Sequence, residues 1–599
     1  TEQLTAYNHP TPIGLINDKR INLTDRWVLN NYFSGHARNM TFMALSMDAE
    51  DDPPLDTVFH YSALGNSLRS FIFNATGAWL YQQYAQYELP QIVLAEYGVN
   101  PTGLGMGSGG LSVEGSLYGE SIGWVAQTLL ALKTAGWADE NIIGKQIGLL
   151  SSEYWTRLMD GLIHSIAPIP YVPKDATYYG EIYPVANYGD LLRTWMTPFM
   201  IDVTAPISLI DMRIGNHQNR LDKARWFTRN ALEGGEAKVL YHINNIWAGS
   251  SATSGLYYFL MFPPDLPATP DPRPAMNTTF WDPSWQKLLS RTDWTAEATW
   301  FNWQCHWTKI NHQAGDGNQF EFYRKGEWLT KERSGYTNDN IGTTSEFHNT
   351  LALKNDVPPS MQWYEGPISE RGGQWKEGLN AGDPVALKSI GNDYAYATGV
   401  STPLYNRYSG ASDIEHASRS IFWLKPDHIF VYDRAQSKSE DRFKRFFLQF
   451  TAAPQVQGRN ATIFTPGHQK LFLSNLLPEG AKLTPSVSEK LSALAEQEFT
   501  THQIKIEDPS NPKDIRFLNI LQGADSASLK DDVLLVQSIA GTAFEGAALR
   551  ETCVLMIKNW DEIFTNTSFS VPHTVKFIYV TGVKPYSGYR ISAKSVANQ

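Results

Sequence analysis

The residues best suited to chemistry fall in two stretches far apart in the chain. One runs Trp307-Thr-Lys-Ile-Asn-His312-Gln-Ala-Gly-Asp316-Gly-Asn-Gln-Phe320 and continues through Tyr323-Arg324-Lys325-Gly326. His312 is its natural general acid or base, because imidazole titrates near neutrality. The other is Gly109-Gly-Leu-Ser-Val-Glu114-Gly-Ser-Leu-Tyr118-Gly-Glu120, a glycine-rich turn leading into a helix that the pattern starts near Ser116. Tyr118 falls in the first turn of that helix, where backbone N–H groups favour negative charge, so its phenol is suited to give and take a proton. A third candidate is His60, followed by Asn66, in Phe59-His60-Tyr61-Ser-Ala-Leu-Gly65-Asn66. Each has a plain structural alternative: a histidine bonded inside an interface, a tyrosine packed in a helical turn, a histidine in a helical core. The basic stretch Arg213–Arg229, with Asn216, His217, Arg220, Lys223 and Arg225, suits an anionic ligand or a solvated helix face.

The elements that must position these residues change character along the chain. From about residue 25 to 300 the apolar period is helical. Over Ser121–Trp137, Val125, Leu129, Leu132 and Gly136 fall on one helix face. Ile147–Ile166, Gly189–Met200 and Leu221–Leu232 carry similar patterns, separated by breaks at Pro101–Gly110 and Pro168–Pro173. Past about residue 315 the period becomes two, as in Gln319–Tyr323, Ile429–Tyr432, Asp532–Val536 and Val575–Val580. Phe262–Pro274, with six prolines, reads as a loop near the junction. The expected architecture is α+β: helices over 1–300 that close into a bundle or toroid, then an antiparallel sandwich over 301–599. The His312 cluster lies at the change, and a cleft between two such units is a common place for a site.

Composition bounds the function. The chain has 599 residues, with 50 Lys+Arg against 61 Asp+Glu, a net charge of -11 that argues against a general nucleic-acid binder. With 42% apolar and 19% charged residues it is a folded globular chain. Its apolar runs, such as Leu256–Phe262, are too short to span a membrane. Two cysteines, Cys305 and Cys553, exclude a disulfide framework and a CxxC metal site, and read as buried thiols. The glycines match neither a dinucleotide fingerprint nor a P-loop, so nucleotide binding is not expected. The sequence begins at Thr1 without a charged-then-apolar leader, and a mature chain whose export signal has been removed is the expectation that follows. Aromatic residues make up 13% of the chain, including 19 Trp. Such rings fill cores and also stack on sugars; Trp303 with Trp307, and Trp363-Tyr364, sit beside polar side chains and suggest a carbohydrate-handling surface.

The stretch His312-Gln313-Ala-Gly-Asp316…Phe320…Tyr323-Arg324-Lys325-Gly326…Ser334-Gly335-Tyr336, then His348-Asn349, resembles the heparinase II/III-like polysaccharide lyases. Arg419-Ser-Ile-Phe-Trp-Leu-Lys-Pro-Asp-His-Ile-Phe-Val-Tyr-Asp433-Arg434 looks like a strand pair of that family, and Glu114-Gly-Ser-Leu-Tyr118-Gly is similar to its catalytic-tyrosine segment. The resemblance implies an incomplete α/α toroid followed by an antiparallel β-sandwich. It implies β-elimination at a uronic acid, on a glycosaminoglycan or alginate, by an exported enzyme of the periplasm or cell exterior. Tyr118 would be the acid, and in a one-residue scheme also the base. His312 would be the base for one uronate epimer, or would orient the carboxylate. His60 would help neutralise the carboxylate, with Asn66 as its alternative. Glu114, Asn216, His217, Arg220, Trp307 and Tyr336 would be further substrate contacts.

The sequence departs from that pattern in one respect. Many relatives carry His-x-His at the start of the sandwich, with the second His on zinc, but here that position is Ala314. His348 matches a ligand, and Asp316 and Glu332 are the remaining candidates, so the set falls short of the usual four donors. The expectation is that no cofactor is needed for the chemistry and that the structural zinc site is lost or rebuilt. A uronyl C5-epimerase on the same scaffold, a glycoside hydrolase and a non-catalytic glycan binder stay open as rival readings.

Overall fold

The computed structural model describes residues 31–46, 76–77, 79–80, 83–84, 109–112, 115, 121–172, 180–189, 194–215, 217–245, 250–306, 314–333, 344–357, 370–375, 385–406, 410–489, 498–584 and 587–594. His60, Asn66, Glu114, Tyr118, Asn216, Trp307, His312 and Tyr336 lie outside them, as do Trp363 and Tyr364.

Helices come first: α1 (Asn31–Ser46), α2 (Ser121–Thr134), α3 (Tyr154–His164), α4 (Ile201–Ile214), α5 (Gln218–Asn230), α6 (Gly235–Asn245) and α7 (Ser250–Met261). In α3 the buried residues Trp155, Leu158, Met159, Leu162 and Ile163 follow the i, i+3, i+4, i+7, i+8 pattern of a one-sided helix. Helix α4 packs against α2, α5 and α7 around a core that includes Val125, Leu129, Leu132, Ile207 and Phe227. Each such side chain contributes roughly 1.5–3 kcal/mol by burial, so the shared core and not local propensity holds these short helices. The expected helix over Gly189–Met200 is not formed in its described part: Trp195 makes a bridge to Pro184, and only Pro198–Met200 turns. Pro198 explains this, since the residue before a proline is pushed toward extended backbone, and Thr197 has ψ 163°.

The first strand begins at Thr279, ahead of the expected 300/301 boundary. Strands β1 (Thr279–Asp282), β2 (Lys287–Arg291), β3 (Thr299–Gln304), β4 (Gln319–Arg324) and β5 (Glu327–Thr330) form a sequential antiparallel sheet. A two-residue turn, Lys325-Gly326, joins β4 to β5 with both residues at positive φ, as such hairpins require. Both faces of this sheet are covered, and side chains two apart share a face. Leu288, Phe301, Trp303, Phe320 and Phe322 join the core of the following sheets, whereas Leu289, Trp300 and Tyr323 pack with Ala167 and Ala186 of the helical half. Trp303 is therefore a core residue, 0% exposed, and not part of a sugar-stacking surface.

Beyond lie an antiparallel eight-stranded sheet, a four-stranded sheet and a C-terminal five-stranded sheet. The eight-stranded sheet buries Ile421, Trp423, Ile429 and Val431 on one side, and Phe422, Phe430 and Tyr432 on the other. The expected strand pair is present, with Ile414–Leu424 antiparallel to His428–Ser437. Cys305 and Cys553 are buried free thiols, each raised by burial to about 12.

Candidate active site

The helix-facing side of the first sheet carries polar residues at one end. Lys287 lies on the same face of β2 as Leu289, Asn302 and Gln304 share a face of β3 with Trp300, and Glu321 lies with Tyr323 on β4. All four polar side chains are 0% exposed. Lys287 Nζ donates to the Asn187 carbonyl at 3.0 Å, so a loop of the helical half is tied to the sheet. It also donates to Gln304 Oε1, and Gln304 Nε2 donates to Asp316 Oδ2 at 2.6 Å. That chain joins the two ends of the β3–β4 connection, since Gln304 ends β3 and Asp316 precedes β4. Asn302 Nδ2 donates to Glu321 Oε2 at 2.8 Å. Burial pushes the Asp316 carboxyl up to about 7, with the Glu332 charge adding to it and His348 and Lys287 opposing. Burial likewise raises Glu321 and Glu332 and lowers Lys287, with Lys287 and the two glutamates drawing each other partly back.

A second group joins the glycine-rich segment to the same sheet edge. Asp282, at the end of β1, accepts the N–H groups of Ser284 at 2.7 Å and Trp285 at 2.8 Å, closing the turn into β2. Its other oxygen accepts the N–H of Leu111 at 2.8 Å. Gly109 donates its N–H to Ser284 Oγ at 3.1 Å, and a Cβ on Gly109 would collide with the Asp282 carboxylate. Gly110, at φ 108°, lies so close to the backbone of Arg157 and Leu158 that a side chain has no room there either. The two glycines let the chain pass between helix α3 and strand β1.

Trp285 is the joint. Its indole Nε1 donates to the Ser112 carbonyl at 2.6 Å, and its ring lies edge-on to Tyr188 at 4.6 Å. On the same residue rests His306, with ring centroids 3.6 Å apart. Ser112 leads into the stretch bearing Tyr118, and His306 leads into the one bearing His312. Two stretches separated by nearly two hundred residues in sequence thus begin from one buried tryptophan.

Of the described candidates, His348 and Glu332 come together: His348 Nδ1 lies 2.5 Å from Glu332 Oε2, both side chains buried. That separation is a hydrogen bond. Two donors on one zinc at ~2.0–2.1 Å each would lie roughly 3.3 Å apart in a tetrahedral site. Among the described residues no group of three or more His, Cys, Asp or Glu side chains is arranged to hold a metal ion. Glu332 is thus bonded to His348, and Asp316 accepts from Gln304 through Oδ2 while its Oδ1 is buried without a hydrogen bond among the described residues. Arg220 also differs from the expectation of a substrate contact. It is 2% exposed, its Nε donates to Asp211 Oδ2 at 2.8 Å and its Nη1 to the Ser152 carbonyl at 3.0 Å. Its neighbours are similarly engaged: Lys223 pairs with Asp160, Arg229 with Glu236, and Arg225 donates to the Met261 carbonyl. His217 is half-buried at the start of α5. Asp282, Trp285, Lys287 and Glu321 did not stand out in the sequence; the Asp-Pro-Ser-Trp turn at 282–285 and a lone lysine in Lys287-Leu-Leu-Ser were the available signals.

No protein-family model matches the sequence, and no curated protein does. Among solved structures, the heparan sulfate lyase of Pedobacter heparinus superposes with a TM-score of 0.51 at 12% identity, over 87% of this chain and 64% of that one. The chain thus covers less than two thirds of that enzyme's length. Heparinase III gives a TM-score of 0.39 at 11% identity, over 92% of this chain and 94% of that one. The chondroitin AC lyase of Streptomyces coelicolor A3, in complex with chondroitin sulphate, gives 0.39 at 11%, over 80% and 66%. Among the described residues no helix is long and apolar enough to cross a membrane. The likeness to the Pedobacter heparinus enzyme is one of fold, helices followed by antiparallel sheets.

Proposed function

We propose that the chain is a polysaccharide lyase that cleaves a uronate-containing anionic polysaccharide by β-elimination, its helices forming an incomplete toroid and its sheets a sandwich. The observation that carries this reading is the joint at Trp285, where Ser112 and His306, the described flanks of the Tyr118 and His312 stretches, meet. A tyrosine and a histidine, the groups these two stretches carry in the sequence, suit a reaction that moves two protons. The C5 proton of a uronate is too weakly acidic to leave unaided. His312 or Tyr118 takes it, the C5–H electrons form the C4–C5 double bond, the C4–O bond breaks, and Tyr118 protonates the departing oxygen. His60, or Asn66, neutralises the carboxylate as charge builds on it. Glu114, Asn216, Trp307 and Tyr336 contact the sugar chain. The polymer does not enter a cytoplasm intact, which places the enzyme in the periplasm or outside the cell.

The test is ultraviolet absorbance during incubation with heparan sulfate, hyaluronan, chondroitin sulfates and alginate. A rise from the conjugated double bond on one polymer, lost by about 10²–10⁴-fold in Tyr118→Phe and His312→Ala, supports the reading. Reducing ends without absorbance would mean hydrolysis, and deuterium uptake at C5 without cleavage would mean epimerisation; either overturns it.

A further inference from the structure

We propose that one edge of the eight-stranded sheet carries a second glycan-binding surface, formed by Asn460, Thr462, Phe464, Lys470 and Lys530, which holds an anionic polysaccharide on the side of the sheet turned away from the Trp285 joint. The strands at that edge are Pro454–Gln457, Asn460–Phe464 and Gln469–Leu477, paired antiparallel. Ala461, Ile463, Leu471 and Leu473 point into the core shared with Phe301 and Trp303 of the first sheet. Side chains alternate across a strand, so Asn460, Thr462, Phe464, Lys470 and Phe472 lie on the opposite face. There Phe464 stands beside Lys470 and Thr462 beside Phe472, while Gln455 and Gln457 of the outermost strand continue the rows of Thr462 and Asn460. Gln455, Gln457, Asn460 and Phe464 are exposed, Phe464 by 46%. The strand order puts this edge opposite Val385–Ile390, whose Lys388 lies over the Trp281 ring next to Asp282. At about 4.8 Å between neighbours, eight strands set the two edges about 30 Å apart.

The charge of this face is unlike that of the rest of the chain. Between Asp441 and Glu479 the sequence has no acidic residue, in a protein with 61 of them, yet it has Arg442, Lys444, Arg445, Arg459 and Lys470. Lys530, from the connection that follows the strand Asp514–Asp525, donates to Asn460 Oδ1 at 2.9 Å and Ser474 Oγ at 3.3 Å. Lys470 Nζ donates to the Ser528 carbonyl at 3.2 Å and lies 5.3 Å from the Phe464 ring and 5.7 Å from the Phe472 ring. Neutral partners thus fix both ammoniums without cancelling their charge, and among the described residues no carboxylate pairs with either. In the same connection Asp525 is matched by Arg324 and Lys325 and Asp531 by Arg550, leaving Asp532 as the one carboxylate there without a cation among the described residues. An ammonium has three N–H donors, so Lys470 and Lys530 keep some for a carboxylate or sulfate. The Phe464 ring offers an apolar face to the C–H side of a sugar, and the amides and the Thr462 hydroxyl offer hydrogen bonds to its hydroxyls. An acidic protein repels a polyanion elsewhere, so contact concentrates where acidic residues are missing. The class of polymer rests on the proposed function, but nothing here needs the polymer to be cleaved.

The experiment titrates the full chain with heparan sulfate, hyaluronan, chondroitin sulfates and alginate in a calorimeter at two salt concentrations, using a Tyr118→Phe host so that no polymer is consumed. In that host, Lys470→Gln with Lys530→Gln should weaken binding of the preferred polymer by about tenfold and flatten its salt dependence, because two exposed charges that salt would screen are gone. Phe464→Ala should weaken binding with the salt dependence kept, and Lys470→Arg with Lys530→Arg should retain it. These exposed substitutions should leave Tm nearly unmoved, which separates lost contact from lost fold. Unchanged affinity in the double Gln variant overturns the proposal, as does a host chain that binds none of the four polymers. Polymer bound through these residues, with no double bond formed by the unaltered chain, would uphold this surface while sinking the lyase reading.

Discussion

Arg419 and Asp433 face each other across adjacent antiparallel strands and close a two-point ion pair, Nε to Oδ1 at 2.7 Å and Nη2 to Oδ2 at 3.0 Å, with both side chains fully buried. The remaining arginine nitrogen, Nη1, donates to the Asn318 carbonyl at 2.7 Å and the Asn349 carbonyl at 2.5 Å. Asn318 directly precedes β4 and Asn349 directly follows His348. One guanidinium therefore fastens the eight-stranded sheet to both sides of the polar cluster. Removing it would strand a buried carboxylate and two carbonyls. Arg419→Met should cost about 3–5 kcal/mol in denaturant unfolding, since breaking a buried pair leaves its partner uncompensated. A cost below about 1 kcal/mol would mean the pair is structurally dispensable.

Trp285 should be separable into two functions by two substitutions. Trp285→Phe keeps a ring against His306 but loses the indole N–H bond to Ser112, at a cost of about 1 kcal/mol. Trp285→Ala also removes the ring and should cost about 3–5 kcal/mol. If the joint aligns the Tyr118 and His312 stretches, turnover on the polymer found by the absorbance screen should fall in Trp285→Phe by more than its loss of folded protein explains. Thermal unfolding and absorbance assays on the same preparation compare the two; equal losses would assign Trp285 to stability alone.

The legible parts of the molecule are those where a local pattern decides the outcome. Val125, Leu129 and Leu132 sit on one face of α2 because that spacing is helical, and the Arg419–Arg434 stretch pairs as a hairpin because both strands are apolar and joined by a tight turn. The helix expected over Gly189–Met200 had the right period, but in its described part Pro198 holds Thr197 extended and breaks it. Trp303 looked like a surface ring because its sequence neighbours are polar, yet in a strand those neighbours face the other way. Arg220 stood in a run of charges whose partners, from Asp211 close by to Ser152 and Asp160 far off in the sequence, come into reach only once the helices pack. Lys287 was the least legible of all. A single lysine beside two leucines signals a solvated position, yet it is fully buried, bonded to the Asn187 carbonyl and lying over the Tyr188 ring.

Gly109 should tolerate no side chain. A Cβ added there would run into the Asp282 carboxylate, which is itself held by the N–H groups of Leu111, Ser284 and Trp285 and cannot retreat without breaking them. Gly109→Ala should therefore cost about 1–3 kcal/mol, the usual range for overpacking a fixed site. Asp282→Asn keeps the shape but turns one acceptor into a donor facing N–H groups, and should destabilise by a similar amount. Denaturant midpoints of the two variants check both. A neutral Gly109→Ala would show that the turn shifts freely and that the segment before Tyr118 is not held from this end.

Asp202 should make the helical half sensitive to pH. Burial pushes its carboxyl up to about 6, against the opposing pull of the Ser254 hydroxyl, which donates at 2.7 Å, and of Arg38. The native state thus holds the proton more tightly than the unfolded chain, whose aspartate titrates near 3.9. Stability from this group is fully present below about pH 4 and is lost as pH rises through about 6, a change on the order of 3 kcal/mol. Asp202 accepts from α7 and faces α1 from α4, so its ionisation strains the packing of three helices at once. Asp202→Asn removes the titration while keeping an acceptor for Ser254. Unfolding free energies measured from pH 4 to 7 should decline less steeply in the variant than in the unaltered chain; parallel curves would show that Asp202 stays ionised in the folded protein.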